Sequence, residues 1–133
     1  MRLVLDTNCL LSIVPKKSPY RWIFDLVIGQ KLEVAISTEI LLEYEEQLSH
    51  FYSTTYSENI ICALVSLPNV VEVNPIHFNW RLIEGDPDDD KFVDTYIASR
   101  SDILLTNDRH FNKLQSLQFP KVVCVKLTEF RFP

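Results

Sequence analysis

Residues 86–111 read DPDDDKFVDTYIASRSDILLTNDRHF, and this stretch decides the fold. From Asp88 to Arg100 the apolar positions Val93, Tyr96 and Ile97 fall on one side at helical spacing, which predicts an amphipathic helix opened by acids. The helix gives way to Ile103-Leu104-Leu105, a short apolar run of the kind buried in a central strand. Asp108 lies just past that run. Within the helix, Asp90 shares a face with Val93, Asp94 and Ile97, so its side chain is expected to lean toward the packed interior.

Working outward from this stretch, the same alternation runs through the chain. Arg2-Leu3-Val4-Leu5 predicts a first buried strand, ending at Asp6. A turn between Pro15 and Pro19 leads into a helix over Tyr20 to Gln30, with Ile23, Phe24, Val27 and Ile28 at helical spacing and Gly29 near its stop. Leu32 to Ile36 reads as a second strand. Ser37 or Thr38 offers an N-cap for a helix running to about His50. Tyr56 to Leu67 repeats the amphipathic pattern up to Pro68, and Val70 to Val73 is a third, weaker strand. A short helix over Arg109 to Leu117 and a last strand over Val122 to Val125 complete the order. Strand and helix in alternation imply right-handed crossovers. The expected fold is therefore α/β, a three-layer α/β/α with a mainly parallel central sheet, built as one domain over residues 1–133.

The composition narrows the class. With 133 residues, 47% of them hydrophobic and only two glycines, the chain is expected to be globular and able to form its own core. No apolar run approaches the roughly 20 residues that span a bilayer, and the N-terminus lacks a secretory pattern. Cys9, Cys62 and Cys124 are odd in number and widely spaced, which argues against disulfides and zinc knuckles and for a cytoplasmic setting. The net charge of −5 argues against a protein that coats nucleic acid, but not against an enzyme that grips a polyanion locally.

The chemistry lies in acids far apart in sequence. Ligands of open parallel sheets bind beyond the carboxyl ends of the strands, where Asp6 and Asp108 both fall. Glu43 shares a helix face with Glu39, Ile40 and Gln47. Each acid also has a plain structural reading: Asp6 as a turn-former, Asp86, Asp88, Asp89 and Asp90 as turn and cap residues, Glu43 as a solvated helix residue, and Asp108 as the cap of the next helix. Helix capping leaves Asp94 unexplained. Thr7 and Asn8 are placed to support the Asp6 carboxylate. Carboxylates gathered at one edge call for a positive partner, and a divalent metal is the usual one. His50, His77 and His110 have no zinc-site spacing.

In their order, these segments resemble the PIN-domain family of metal-dependent ribonucleases. The resemblance rests on LVLDTN at 3–8, STEILLEYEEQL at 37–48 and the 86–111 stretch, and it covers nearly the whole chain. It implies Mg²⁺ or Mn²⁺ bound by oxygen ligands, and in-line hydrolysis of single-stranded RNA. Asp6 and Asp90 match the principal metal ligands, Asp108 the acid that completes the set, and Glu43 the residue that holds a metal-bound water or helps deprotonate the nucleophile. Asp89 could take the place of Asp90, although it faces Phe92 and Tyr96. Asp94 matches an auxiliary acid, and Asn8 and Thr106 match polar supports. Lys16, Lys17 and Arg109 are candidate phosphate contacts.

The resemblance is strongest to small prokaryotic single-domain members, many of them toxin components of toxin–antitoxin modules. It thereby implies an antitoxin partner that inserts into the acidic groove and a homodimer. The dimer interface is expected on exposed apolar residues of 20–28 or 56–65. Two readings compete: a PIN fold kept as a binding or scaffold module, and a phosphotransfer receiver, for which Lys91 stands in the wrong context.

Overall fold

The structure is a computed structural model that describes residues 1–74, 90–109, 111 and 121–133. Among these residues five strands form one parallel sheet: β1 (Arg2–Leu5), β2 (Glu33–Ile36), β3 (Val70–Glu72), β4 (Ile103–Leu105) and β5 (Cys124–Val125), in the order β3-β2-β1-β4-β5. Five helices pack on it: α1 (Thr7–Ile13), α2 (Arg21–Ile28), α3 (Thr38–Phe51), α4 (Thr54–Ser66) and α5 (Asp90–Ser99). The expected three-layer α/β/α architecture with a parallel sheet is the one observed.

The strand order locates the site. From β1 the chain builds outward through β2 to β3, then returns to the other side of β1 for β4 and β5. The connections therefore leave in opposite directions on either side of the β1–β4 pair, which is the switch point where open α/β sheets leave a crevice at their carboxyl edge. Leu3, Val4 and Leu5 pair in register with Ile103, Leu104 and Leu105. Asp6 and Thr106 thus emerge side by side at that crevice.

The β1 side chains Leu3, Val4 and Leu5 are buried together with Val34, Ala35 and Ile36 of β2 and Leu104 and Leu105 of β4, as a sheet covered on both faces requires. Ser37 caps α3, its Oγ accepting the Ile40 N–H at 3.2 Å. Ser53 caps α4 in the same way through Tyr56. Arg100, in the left-handed region at φ 54°, closes α5, and the Ser101 N–H donates to the Tyr96 carbonyl at 3.1 Å. That reversal feeds the chain straight into β4.

The sequence reading missed α1. The helix begins immediately after Asp6, in a stretch to which the sequence pattern assigned no element, and it buries Thr7, Cys9, Leu10 and Ile13. The observed α4 starts two residues before the expected one because Ser53 provides the cap. The expected helix over 109–117 and the acids Asp86, Asp88 and Asp89 lie wholly or mostly outside the described residues.

Candidate active site

Asp6 is the last link of the β1–β4 ladder and the first of α1. Its N–H donates to the Leu105 carbonyl at 3.0 Å, and its own carbonyl accepts the Leu10 N–H at 3.0 Å. A turn-forming or capping Asp spends its carboxylate on nearby backbone N–H groups. This side chain makes no cap hydrogen bond, is only 6% exposed, and accepts a bond from the Thr106 hydroxyl at 2.8 Å. Thr106 Oγ1 in turn accepts the Asp108 N–H at 3.1 Å. One hydroxyl therefore couples the ends of β1 and β4. Burial pushes the Asp6 carboxyl above its ordinary value; the Thr106 hydroxyl and the Thr7 N–H oppose this, and the neighbouring charges of Asp108 and Glu43 push it further up.

Glu43 comes to the same crevice from the middle of α3. One carboxylate oxygen, Oε2, accepts the Thr7 hydroxyl, and the other stands 3.0 Å from Lys91 Nζ. The Lys91 side chain is 12% exposed and that of Glu43 29%, so this is a largely desolvated ion pair. Lys91 Nζ also lies 5.0 Å from the centre of the Phe92 ring. The adjacent Tyr44, fully buried, donates its hydroxyl to the Leu5 carbonyl at 2.5 Å, fixing α3 to the end of β1.

Asp90 and Asp108 are half-buried, at the head of α5 and just past β4, and Asp94 is buried one turn further along α5. The structure thus brings Asp6, Asp108 and Glu43 within electrostatic reach, and Lys91 ties the head of α5, next to Asp90, to Glu43. Among the described residues, no group of three or more His, Cys, Asp or Glu side chains is arranged to hold a metal ion. The donors that fit an ion are therefore few: a buried carboxylate raised by its neighbours, with a second acid beside it. Mg²⁺ is commonly held through one or two carboxylates with waters completing its octahedron, and this side of the crevice suits such an ion.

Two expectations about supporting residues change. Thr7 gives its hydroxyl to Glu43 and supports Asp6 only through its backbone N–H, and Asn8 is exposed on the rim of a groove. That groove, about 690 Å³, runs beside α1 and is lined by Asn8, Lys17, Tyr20, Phe51 and Tyr52 among others. Phe51 is 60% exposed and Tyr52 43%. The sequence reading passed over both, although two adjacent aromatics after the last polar turn of a helix were a usable signal. Lys16 and Arg109 are exposed. Burial pushes the thiol of Cys9 up to about 12 and that of Cys124 to about 11, so neither supplies a thiolate near neutral pH.

A family profile described as PIN domain matches residues 2–110. No curated protein matches the chain. Solved structures match over nearly all of it. They include VapBC2 of Rickettsia felis bound to a DNA fragment from its promoter (16% identity, TM-score 0.62, 95% of this chain and 98% of that one). DNA-bound VapBC of Salmonella typhimurium aligns at 16% identity and TM-score 0.61, over 96% of this chain and 98% of that one. The PIN domain endonuclease Utp24 aligns at 16% identity and TM-score 0.56, over 94% and 84%. At this identity the likeness is one of fold.

Proposed function

This chain belongs to the PIN-domain family, a family of nucleases, and we propose that it is a divalent-metal-dependent endoribonuclease acting on single-stranded RNA. The observation that carries this reading is the Asp6 carboxylate. It is buried at the switch-point crevice, bonded by the Thr106 hydroxyl and the Thr7 N–H, and faced by the charges of Asp108 and Glu43. Such a group lowers its free energy by meeting a cation, which is what a nuclease of this chemistry needs there.

In this proposal Asp6 and Asp108 would hold Mg²⁺ or Mn²⁺, and Asp90 at the head of α5, which does not form a three-acid cluster with them here, would join the set once the ion is bound. The bound ion would supply an activated water and neutralise charge on the phosphate. Thr106 keeps the Asp6 carboxylate in one orientation. Glu43, held by Thr7 and Lys91, faces the crevice as the group that orients a water or takes its proton. The groove beside α1 would offer the rest of the strand a path: the exposed aromatics Phe51 and Tyr52 would stack with bases, and Lys17, with Lys16 next to it, would meet phosphates. These contacts tolerate any sequence.

The VapBC likenesses support a narrower assignment within this function, the toxin component of a toxin–antitoxin pair, with an antitoxin protein as partner. Trp22, Ile28 and Val65, exposed on α2 and α4, are where a homodimer would form. The three free cysteines suit a reducing cytoplasm, and no helix among the described residues is long and apolar enough to cross a membrane. The net charge of −5 favours the second reading, a scaffold module with little catalysis.

Cleavage of a labelled single-stranded RNA in Mn²⁺, Mg²⁺ and EDTA, wild type beside Asp90→Asn, separates the two. Metal-dependent cleavage that the variant loses is the expected result. No cleavage, and no response of the melting temperature to metal, would move the assignment to the scaffold.

A further inference from the structure

The crevice divides into two halves. On one side are Asp6, Thr106 and Asp108: the Thr106 hydroxyl donates to the buried Asp6 carboxylate and accepts the backbone N–H of Asp108, whose charge is felt at Asp6. On the other, Glu43 already has both oxygens engaged, Oε1 with the Lys91 ammonium at 3.0 Å and Oε2 with the Thr7 hydroxyl. We propose that the Lys91 ammonium is a built-in second cation of this site, so that the protein takes one divalent ion, on the Asp6 side, and not two. The proposal rests on the metal-dependent reading above and specifies its stoichiometry.

The placement of Lys91 supports this. Its side chain is 12% exposed, and its ammonium lies near the face of Phe92, which is itself fully buried. A buried ion pair persists only where its geometry is good and its remaining hydrogen-bonding capacity is met, and Thr7 meets that of Glu43. Both partners stand on anchored elements. Glu43 precedes Tyr44, whose hydroxyl binds the Leu5 carbonyl, and Lys91 lies in the first turn of α5 between Asp90 and buried Phe92. This is unlike an exposed lysine that swings aside at little loss. An ion ligated by Glu43 would have to displace the ammonium from Oε1 or lie against it, and like charges at that range repel strongly in a desolvated crevice. Lys91 is in this view a positioning residue: it fixes the Glu43 carboxylate beside the single ion and supplies positive charge where a second ion would otherwise sit.

The test counts bound Mn²⁺ by calorimetry and by electron paramagnetic resonance of the free ion, using Mn²⁺ alone. Wild type and Lys91→Arg are expected to bind one ion per chain. Lys91→Met and Lys91→Gln, two neutral variants of similar length, are expected to bind two, with cleavage turning from a hyperbolic to a sigmoidal dependence on Mn²⁺. A purely structural lysine would not change the count. Two ions in the wild type, or one ion in both neutral variants, overturns the inference and leaves the metal-dependent reading standing. No bound Mn²⁺ in any of the four proteins removes that reading itself, and the inference with it.

Discussion

Replacing Asp6 by Asn tests whether its buried charge serves a ligand or the fold. The change is nearly isosteric, and the amide oxygen can still accept the Thr106 hydroxyl, so packing and the hydrogen bond survive while the charge goes. Burial, with Asp108 and Glu43 nearby, raises the Asp6 carboxyl above 3.8. A raised folded-state value means that the native protein binds this proton more tightly than the unfolded chain does, so the ionised carboxylate destabilises the fold at neutral pH. Asp6→Asn should therefore stabilise the metal-free protein and raise its melting temperature, each kcal/mol gained being worth roughly 4 °C in a domain of this size.

Saturating metal should reverse the order. At about 100 times its dissociation constant, an ion that binds only the native wild type adds roughly 2.7 kcal/mol, and the variant should gain little of this. Melting both proteins in EDTA and in Mn²⁺ at pH 7 should thus give curves that exchange places. Lowering the pH in EDTA should narrow the gap as Asp6 takes up its proton, and close it below 3.8, where the residue is also protonated in the unfolded chain. The reasoning fails if Asp6→Asn is the less stable protein in EDTA at pH 7, or if Mn²⁺ raises both melting temperatures equally.

Two further outcomes follow from particular contacts. Thr106→Val deletes the hydroxyl that donates to Asp6 and accepts from the Asp108 N–H; a loss of about 1–3 kcal/mol in urea unfolding is expected. Because that bond holds the Asp6 carboxyl down, the acid limb of the pH–rate profile should also move to higher pH, and an unmoved limb would show that Asp6 does not govern it. Phe51→Ala removes a ring that is 60% exposed in the groove; it should raise KM for RNA about tenfold, the low end of base-stacking energies, with kcat and melting temperature nearly unchanged. An unchanged KM would take the groove off the path of the RNA.

Much of the fold was legible because parallel strands announce themselves locally. Arg2–Leu5 and Ile103–Leu105 are apolar runs stopped by polar residues, and α2, α3 and α5 carry helical periodicity with recognisable ends. The missed α1 had its own signal in Cys9, Leu10, Ile13 and Val14, all buried, but Thr7-Asn8 directly after the strand drew the reading to a polar site instead of a helix start. Asp6 leaves its strand with extended φ and ψ of −60° and 146°, so strand and helix share one junction residue with no connecting loop between them. In the site, the acids at strand ends could be placed by topology alone. The Glu43–Lys91 pair could not, because it depends on how α3 and α5 approach each other across the sheet edge, and no local period encodes that distance.

The energetics of the crevice argue for function more strongly than the list of acids does. Asp is common at strand ends because its carboxylate can satisfy the N–H groups of the following turn, yet Asp6 makes no helix-cap bond and sits buried beside two other acids, held by the Thr106 hydroxyl and the adjacent Thr7 N–H. A charge kept in that state lowers the stability of the empty protein, and local rules of this kind are broken mostly where a ligand later supplies the compensation. Glu43 shows the converse: its charge is already matched by Lys91 and Thr7. Among the described residues, one carboxylate without a paired cation and one already supplied with it, at the same switch point, describe a site prepared for a single incoming positive charge.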